Sequence, residues 1–280
     1  MIGIVVDSNS QMPAELARRH SISVVPLTVT VDGVDHLEGV DLDADGFYAL
    51  FDGGVTPEVS TSQPSPGRFA AAYAALVASG ATEILSIHIA EAMSGTVNSA
   101  RIGAAQVDVP VRLVDTGTAS FGIACCAWAA AEVVASGGGI DEAAELAETL
   151  GRDLRTTFVV GVPALIDRSG RATGADVAAA SGDGVAVVAM TGSDMSVLAS
   201  VTDLDAAVDV MVDDALARPP SAARGLRIAV GTSDDASAVM SDALAARLDG
   251  RAEVAEVVRY RIGPSVGAHT GPGTCGLFVF

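Results

Sequence analysis

Residues 83–100 read EILSIHIAEAMSGTVNSA. The run EILSIHI is short and β-rich, and AEAM then leads through Ser94-Gly95-Thr96 into a helical pattern over 97–106. A strand that passes through a short loop into a helix is the building unit of a parallel sheet covered by helices. The same order recurs on both sides. IGIVV (2–6) ends in Asp7-Ser8-Asn9-Ser10 ahead of a helix near 13–20, and VRLVD (111–115) runs through Thr116-Gly-Thr-Ala-Ser120 into a helix over 121–136. VVPLTVTV (24–31) and TFVV (157–160) read as further strands, and 66–79 and 141–153 as further helices.

After about residue 160 the texture shifts to Gly, Ser and Asp interruptions. Strands are expected at 185–190, 197–202, 226–230 and 254–260, and helices at 205–217 and 234–248, with Arg218-Pro219-Pro220-Ser221 as a loop. Two α/β domains follow, 1–160 and 161–280, the second smaller and with a mixed or antiparallel sheet. The segment near 57–75 is assigned to pack with the second.

Half of the residues are apolar and only 4% aromatic, so Ala, Val, Leu and Ile must make the core. A net charge of −19, with scattered cations that are all Arg, excludes a nucleic-acid surface, which needs clustered cations. Three cysteines describe no disulfide framework and fit a reducing cytoplasm. The start MIGIVVDS has no basic segment, and Ser, Thr and Glu132 interrupt the long uncharged run around Trp128, so neither a signal peptide nor a spanning helix is expected.

The hydroxyls carry the candidate chemistry. In an open α/β sheet the loops after the strands gather at the carboxyl edge, where ligands bind, and helix N-termini with free N–H groups suit an anion. Ser94-Gly95-Thr96 stands out, because Gly permits close backbone approach. TSQPSPGRF (61–69) crowds three hydroxyls and an amide ahead of a helix, although a cap needs one: Ser65 with Pro66 at the first helical position would serve, leaving Thr61 and Ser62 spare. Asp41, Asp43, Asp45, Gly46 and Asp52 match positions of a calcium loop, but a bidentate Glu and an entering helix are missing, and a helix N-terminus is the simpler reading. The four histidines have no metal-ligand spacing, so no metal is expected. The stretch 262–273 reads as tight turns around His269, and Arg168 and Arg171 share a turn-like DRSGRA.

These pieces, in order, resemble the DegV family: IVVDSNS, VVPLTVTVDG, TSQPSPGRF, SIHIAEAMSGTVNSA, VDT with its AS.G continuation, DRSGR and IG.SVGAHTGPGT.G. The resemblance spans nearly the whole chain. It implies a two-domain fold with a Rossmann-like first domain and one long-chain fatty acid bound between the domains, with no cofactor. Thr61, Ser62 and Ser94 would meet the carboxylate beside Gly95, His269 would lie near the head group, and Arg171 near the mouth. It also implies a non-catalytic, bacterial, cytoplasmic protein that presents the acyl group to an ATP-dependent, dihydroxyacetone-kinase-like partner. The basic positions the family often carries after this turn have no counterpart between Gly174 and Leu216. The residues also admit a Ser/His acyl-ester hydrolase, with Ser94 as nucleophile, His269 as base and Asp7 or Asp115 as orienter, although GxSxG is absent.

Overall fold

Four of the expected strands, β1 (Ile2–Asp7), β2 (Ile22–Val25), β6 (Glu83–His88) and β7 (Val111–Asp115), form a fully parallel sheet in the order β2-β1-β6-β7. Their side chains alternate between two helical layers. Ile4, Val6, Leu85 and Ile87 pack against α5 (Phe121–Ala135) and α6 (Ile140–Asp153). Val5 and Ile84 face α3 (Pro66–Ala78) and α4 (Thr96–Ala104), meeting Phe69, Tyr73 and Ala100. The same alternation puts Asp7, Ser86 and His88 on the α3/α4 side, where a core position would ordinarily be apolar.

The computed structural model describes residues 1–54, 56–169, 184–192, 194–218 and 225–280. Its contacts separate Met1–Asp41 with Val59–Asp153 from Leu42–Glu58 with Leu154–Phe280. The second unit holds a six-stranded sheet in the order β10-β9-β8-β13-β11-β12, with β8 (Arg155–Val159), β9 (Val185–Thr191), β10 (Asp194–Val201), β11 (Leu226–Thr232), β12 (Val254–Arg261) and β13 (Cys275–Val279). Only β11 and β12 pair in parallel, so the sheet is mixed. Val208 and Met211 of α8 (Leu204–Leu216) and Leu244 and Leu248 of α9 (Asp235–Leu248) cover it through Val187, Ile228, Val230 and Leu277. Ile166 of α7 (Pro163–Ser169) packs with Val160, Ala186 and Val188.

The structure departs from the sequence reading in four places. VVPLTVTV is broken at Pro26, which has no N–H for a ladder, so β2 ends there and β3 (Thr28–Val31) begins a separate antiparallel sheet. β3 turns through Asp32 (φ 47°) and Gly33 (φ 82°) into β4 (Val34–Leu37), and pairs on its other side with β5 (Val59–Ser62). TFVV falls in β8 of the second sheet, and the unit that contains it is not the smaller one. The segment that groups with this second unit is Leu42–Glu58, which contains α2 (Ala44–Ala49), rather than 57–75. Finally, 264–270 is a helix, α10 (Pro264–Thr270), with Pro264 at its start and tight turns only after it, at Gly271 and Gly273.

Candidate functional site

Because β1, β6 and β7 run in parallel, the loops that leave them share one edge of the first sheet. Their local bonds separate structural hydroxyls from available ones. Thr116 Oγ1 donates to the His88 carbonyl at 2.8 Å and Thr118 N–H to Thr116 Oγ1 at 3.3 Å, so Thr116 braces the loop after β7. Asn9 Oδ1 accepts the Ser120 N–H at 2.9 Å, tying the loop after β1 to the start of α5. Ser10 Oγ is fully buried and has no hydrogen-bond partner among the described residues.

Ser94 behaves differently. Its hydroxyl is half-buried and lies 2.8 Å from the buried Thr96 Oγ1. If Thr96 donates, the Ser94 proton remains free for a ligand oxygen. Gly95 begins α4 without any side-chain cap, and the first turn of a helix carries N–H groups with no intrahelical acceptor. A half-buried hydroxyl beside such N–H groups makes an arrangement suited to a carboxylate.

TSQPSPGRF divides as its residue types suggest. Ser65 caps α3, accepting the Arg68 N–H at 3.4 Å, and Pro66 occupies the first helical position. Thr61 and Ser62 lie on β5 in register with Val29 and Thr28, Thr61 half-buried and Ser62 exposed. The residue that sequence reading passed over is Gln63. A Cβ placed on Gly95 would stand 3.1 Å from Gln63 Nε2, so the close approach that Gly95 allows is made by this amide. α3 and α4 also pack tightly behind it: a Cβ on Gly103 would fall 2.7 Å from Phe69 Cβ and 2.8 Å from the Pro66 carbonyl oxygen. The structure thus brings the TSQ block and the SGT turn together, and the amide within TSQ was the one available signal.

His269 belongs to the second unit and is half-buried in the last turn of α10, where a helix dipole favours a cation. Gly267, two residues earlier, admits the aromatic pair of α2: a Cβ there would meet Tyr48 Oη at 2.6 Å and Phe47 Cε1 at 2.7 Å. Arg171 lies outside the described residues.

Behind the carboxyl edge of the first sheet runs a buried polar chain that the sequence did not announce. Asp7 Oδ2 is 3.0 Å from His88 Nδ1, His88 Nε2 is 2.6 Å from Ser86 Oγ, and Ser86 Oγ is 2.8 Å from Tyr73 Oη. Asp7 also accepts the N–H groups of Asn9 and Ile89, both at 3.1 Å. Asp115 accepts those of Glu91 and Gly117. Both carboxylates considered as orienters for His269 are therefore engaged by groups of their own unit.

The calcium-loop match resolves into helix capping, with Asp43 accepting the Gly46 N–H at 2.8 Å and Asp45 pairing with Arg261. Among the described residues no cluster of three or more His, Cys, Asp or Glu could hold a metal ion. Burial pushes the thiols of Cys126 and Cys275 up to about 12, which leaves them poor nucleophiles. No helix among the described residues is long and apolar enough to cross a membrane.

A family model described as an uncharacterised protein of the DegV family matches residues 1–280. A DegV domain-containing protein of Streptomyces coelicolor is 32% identical over 281 residues, covering 99% of this chain and 98% of its own. One from Mycobacterium tuberculosis is 29% identical over 280 residues, covering 99% and 96%. Among solved structures, a DegV family protein from Thermus thermophilus described by its fatty acid binding superposes with a TM-score of 0.84 at 27% identity, covering 100% of this chain and 99% of that one. A stearic acid-binding protein of Eubacterium ventriosum shares the fold, with a TM-score of 0.86 at 23% identity and coverage of 100% and 98%.

Proposed function

This chain belongs to the DegV family, and from that premise we propose that it binds one long-chain fatty acid and carries it without chemically altering it. The observation that carries this reading is the contact of the Gln63 amide with Gly95, which brings the TSQ block against the start of α4 next to the Ser94 hydroxyl. The similarity to the Thermus thermophilus protein described by its fatty acid binding supports it. In this reading Thr61, Ser62 and Ser94 donate to the carboxylate, with Gly95 leaving the backbone accessible. The family resemblance adds His269 and Arg171 as further candidates for contact with the ligand.

The energetics suit such a ligand. Burying a tail of about fourteen methylenes yields about 11 kcal/mol of gross transfer free energy, before ordering costs. The carboxylate must keep hydrogen-bond partners on leaving water, and each charge-assisted bond contributes about 1.5–3 kcal/mol. Hydroxyl donors also leave one carboxylate oxygen exposed. This is the property required for presentation, in the cytoplasm, to a dihydroxyacetone-kinase-like partner: that oxygen would attack the γ-phosphorus of ATP as ADP departs, giving an acyl phosphate. With no Lys or Arg between Gly174 and Leu216, docking of such a kinase would rest on other charges.

Solvent extraction of the purified protein, followed by mass spectrometry, should release about one long-chain fatty acid per chain. Protein that yields no lipid, and whose melting temperature does not move when fatty acid is added, would end the carrier reading. Replacing Ser94 with Ala removes one donor to the anion and should weaken fatty acid retention about tenfold or more while leaving the circular dichroism spectrum unchanged. Unchanged retention removes Ser94 from the site.

A further inference from the structure

We propose that Asp7 and His88 are the positioning pair of the head-group site, fixing the loops after β1 and β6 so that Ser94 and the first turn of α4 meet the carboxylate in one geometry. This rests on the fatty acid reading above. Both side chains are 0% exposed, so neither touches the ligand, and both act through what they hold. Asp7 closes the turn after β1 through the Asn9 N–H and fixes the start of the Ser94 loop through the Ile89 N–H. The His88 carbonyl takes both the N–H and the hydroxyl of Thr116, which anchors the loop after β7. Its ring meets Phe69, the last residue of the TSQPSPGRF block, edge to face at 5.0 Å and 76°. The loops after β1, β6 and β7 and the start of α3 are thus joined to one buried pair.

The chain of bonds also has a direction. With Asp7 as a carboxylate and the His88 ring neutral, Nδ1 carries the proton shared with Asp7, Nε2 accepts from Ser86, and Ser86 accepts from Tyr73. An apolar cluster of the same shape would stabilise the core at least as well. What the polar chain adds is orientation of the two loops, because it fixes where the Asn9 and Ile89 N–H groups point.

The test titrates delipidated full-length protein with oleic acid, comparing the natural chain with His88→Asn and His88→Phe. Asn keeps a donor close to the place of Nδ1, whereas Phe keeps the ring against Phe69 and loses both nitrogens. His88→Phe should bind about tenfold or more weakly and His88→Asn within about threefold of the natural protein. Equal affinity in the two variants overturns the positioning pair while leaving the carrier reading intact, whereas a natural protein that binds no oleic acid overturns the carrier reading itself. If His88→Phe does not fold, Asp7→Asn decides: it keeps one acceptor oxygen for three donors and should bind oleic acid more weakly than the natural protein, and natural affinity in that variant overturns the pair.

Discussion

Asp7→Ala is expected to lower the stability of the protein by about 4 kcal/mol, seen as a lower urea midpoint at an unchanged slope. The size follows from what the change leaves behind. Three donors converge on this one carboxylate: His88 Nδ1 at 3.0 Å, and the N–H groups of Ile89 and Asn9 at 3.1 Å. Asp7 and His88 are 0% exposed, so solvent cannot replace the lost acceptor without opening the edge of the sheet. An unsatisfied buried donor costs about 1–3 kcal/mol, and the lost partner of a buried charge-assisted pair costs more than its own contact. Asp7→Asn retains one acceptor oxygen and should fall about halfway. A loss below about 1 kcal/mol for Asp7→Ala would mean that the three donors find other acceptors, and the buried chain would then not be what holds these loops.

This chain of bonds shows where sequence reading stops. Helices such as 66–78, 121–135 and 140–153 are legible because apolar spacing is a local property. The partner of His88 lies 81 residues away, and a lone histidine in EILSIHI signals nothing about it. The hydroxyl loops could be named because strand-to-helix order fixes the edge on which they lie. The contact of Gln63 with Gly95 could not, because it depends on how closely α3 and α4 pack at Gly103. The helix around His269 was hidden for a related reason. Pro264 and Gly267 read as turn residues, yet Pro264 starts the helix and Gly267 makes room for Phe47 and Tyr48 from another part of the chain. In both places glycine serves close packing rather than a turn, and spacing along the chain does not distinguish the two.

The same ambiguity makes Gly161→Ala the sharpest stability test in the second unit. Gly161 follows β8 and donates its N–H to Thr274 Oγ1 at 3.1 Å. The Thr274 hydroxyl is in turn bonded to the carbonyls of Thr270 and Gly271, and Val162 N–H donates to Thr270 O at 2.9 Å. These bonds fasten the end of β8 to the last turn of α10, which carries His269. A Cβ on Gly161 would stand 1.7 Å from the carbonyl oxygen of Pro272 and 2.6 Å from its carbon. The obstacle is backbone, so no side-chain rotation relieves it, and the 271–274 turn must move. Overpacking of this kind costs about 3 kcal/mol, which urea unfolding would register directly. An unchanged urea midpoint would show that the turn accommodates a methyl group without strain.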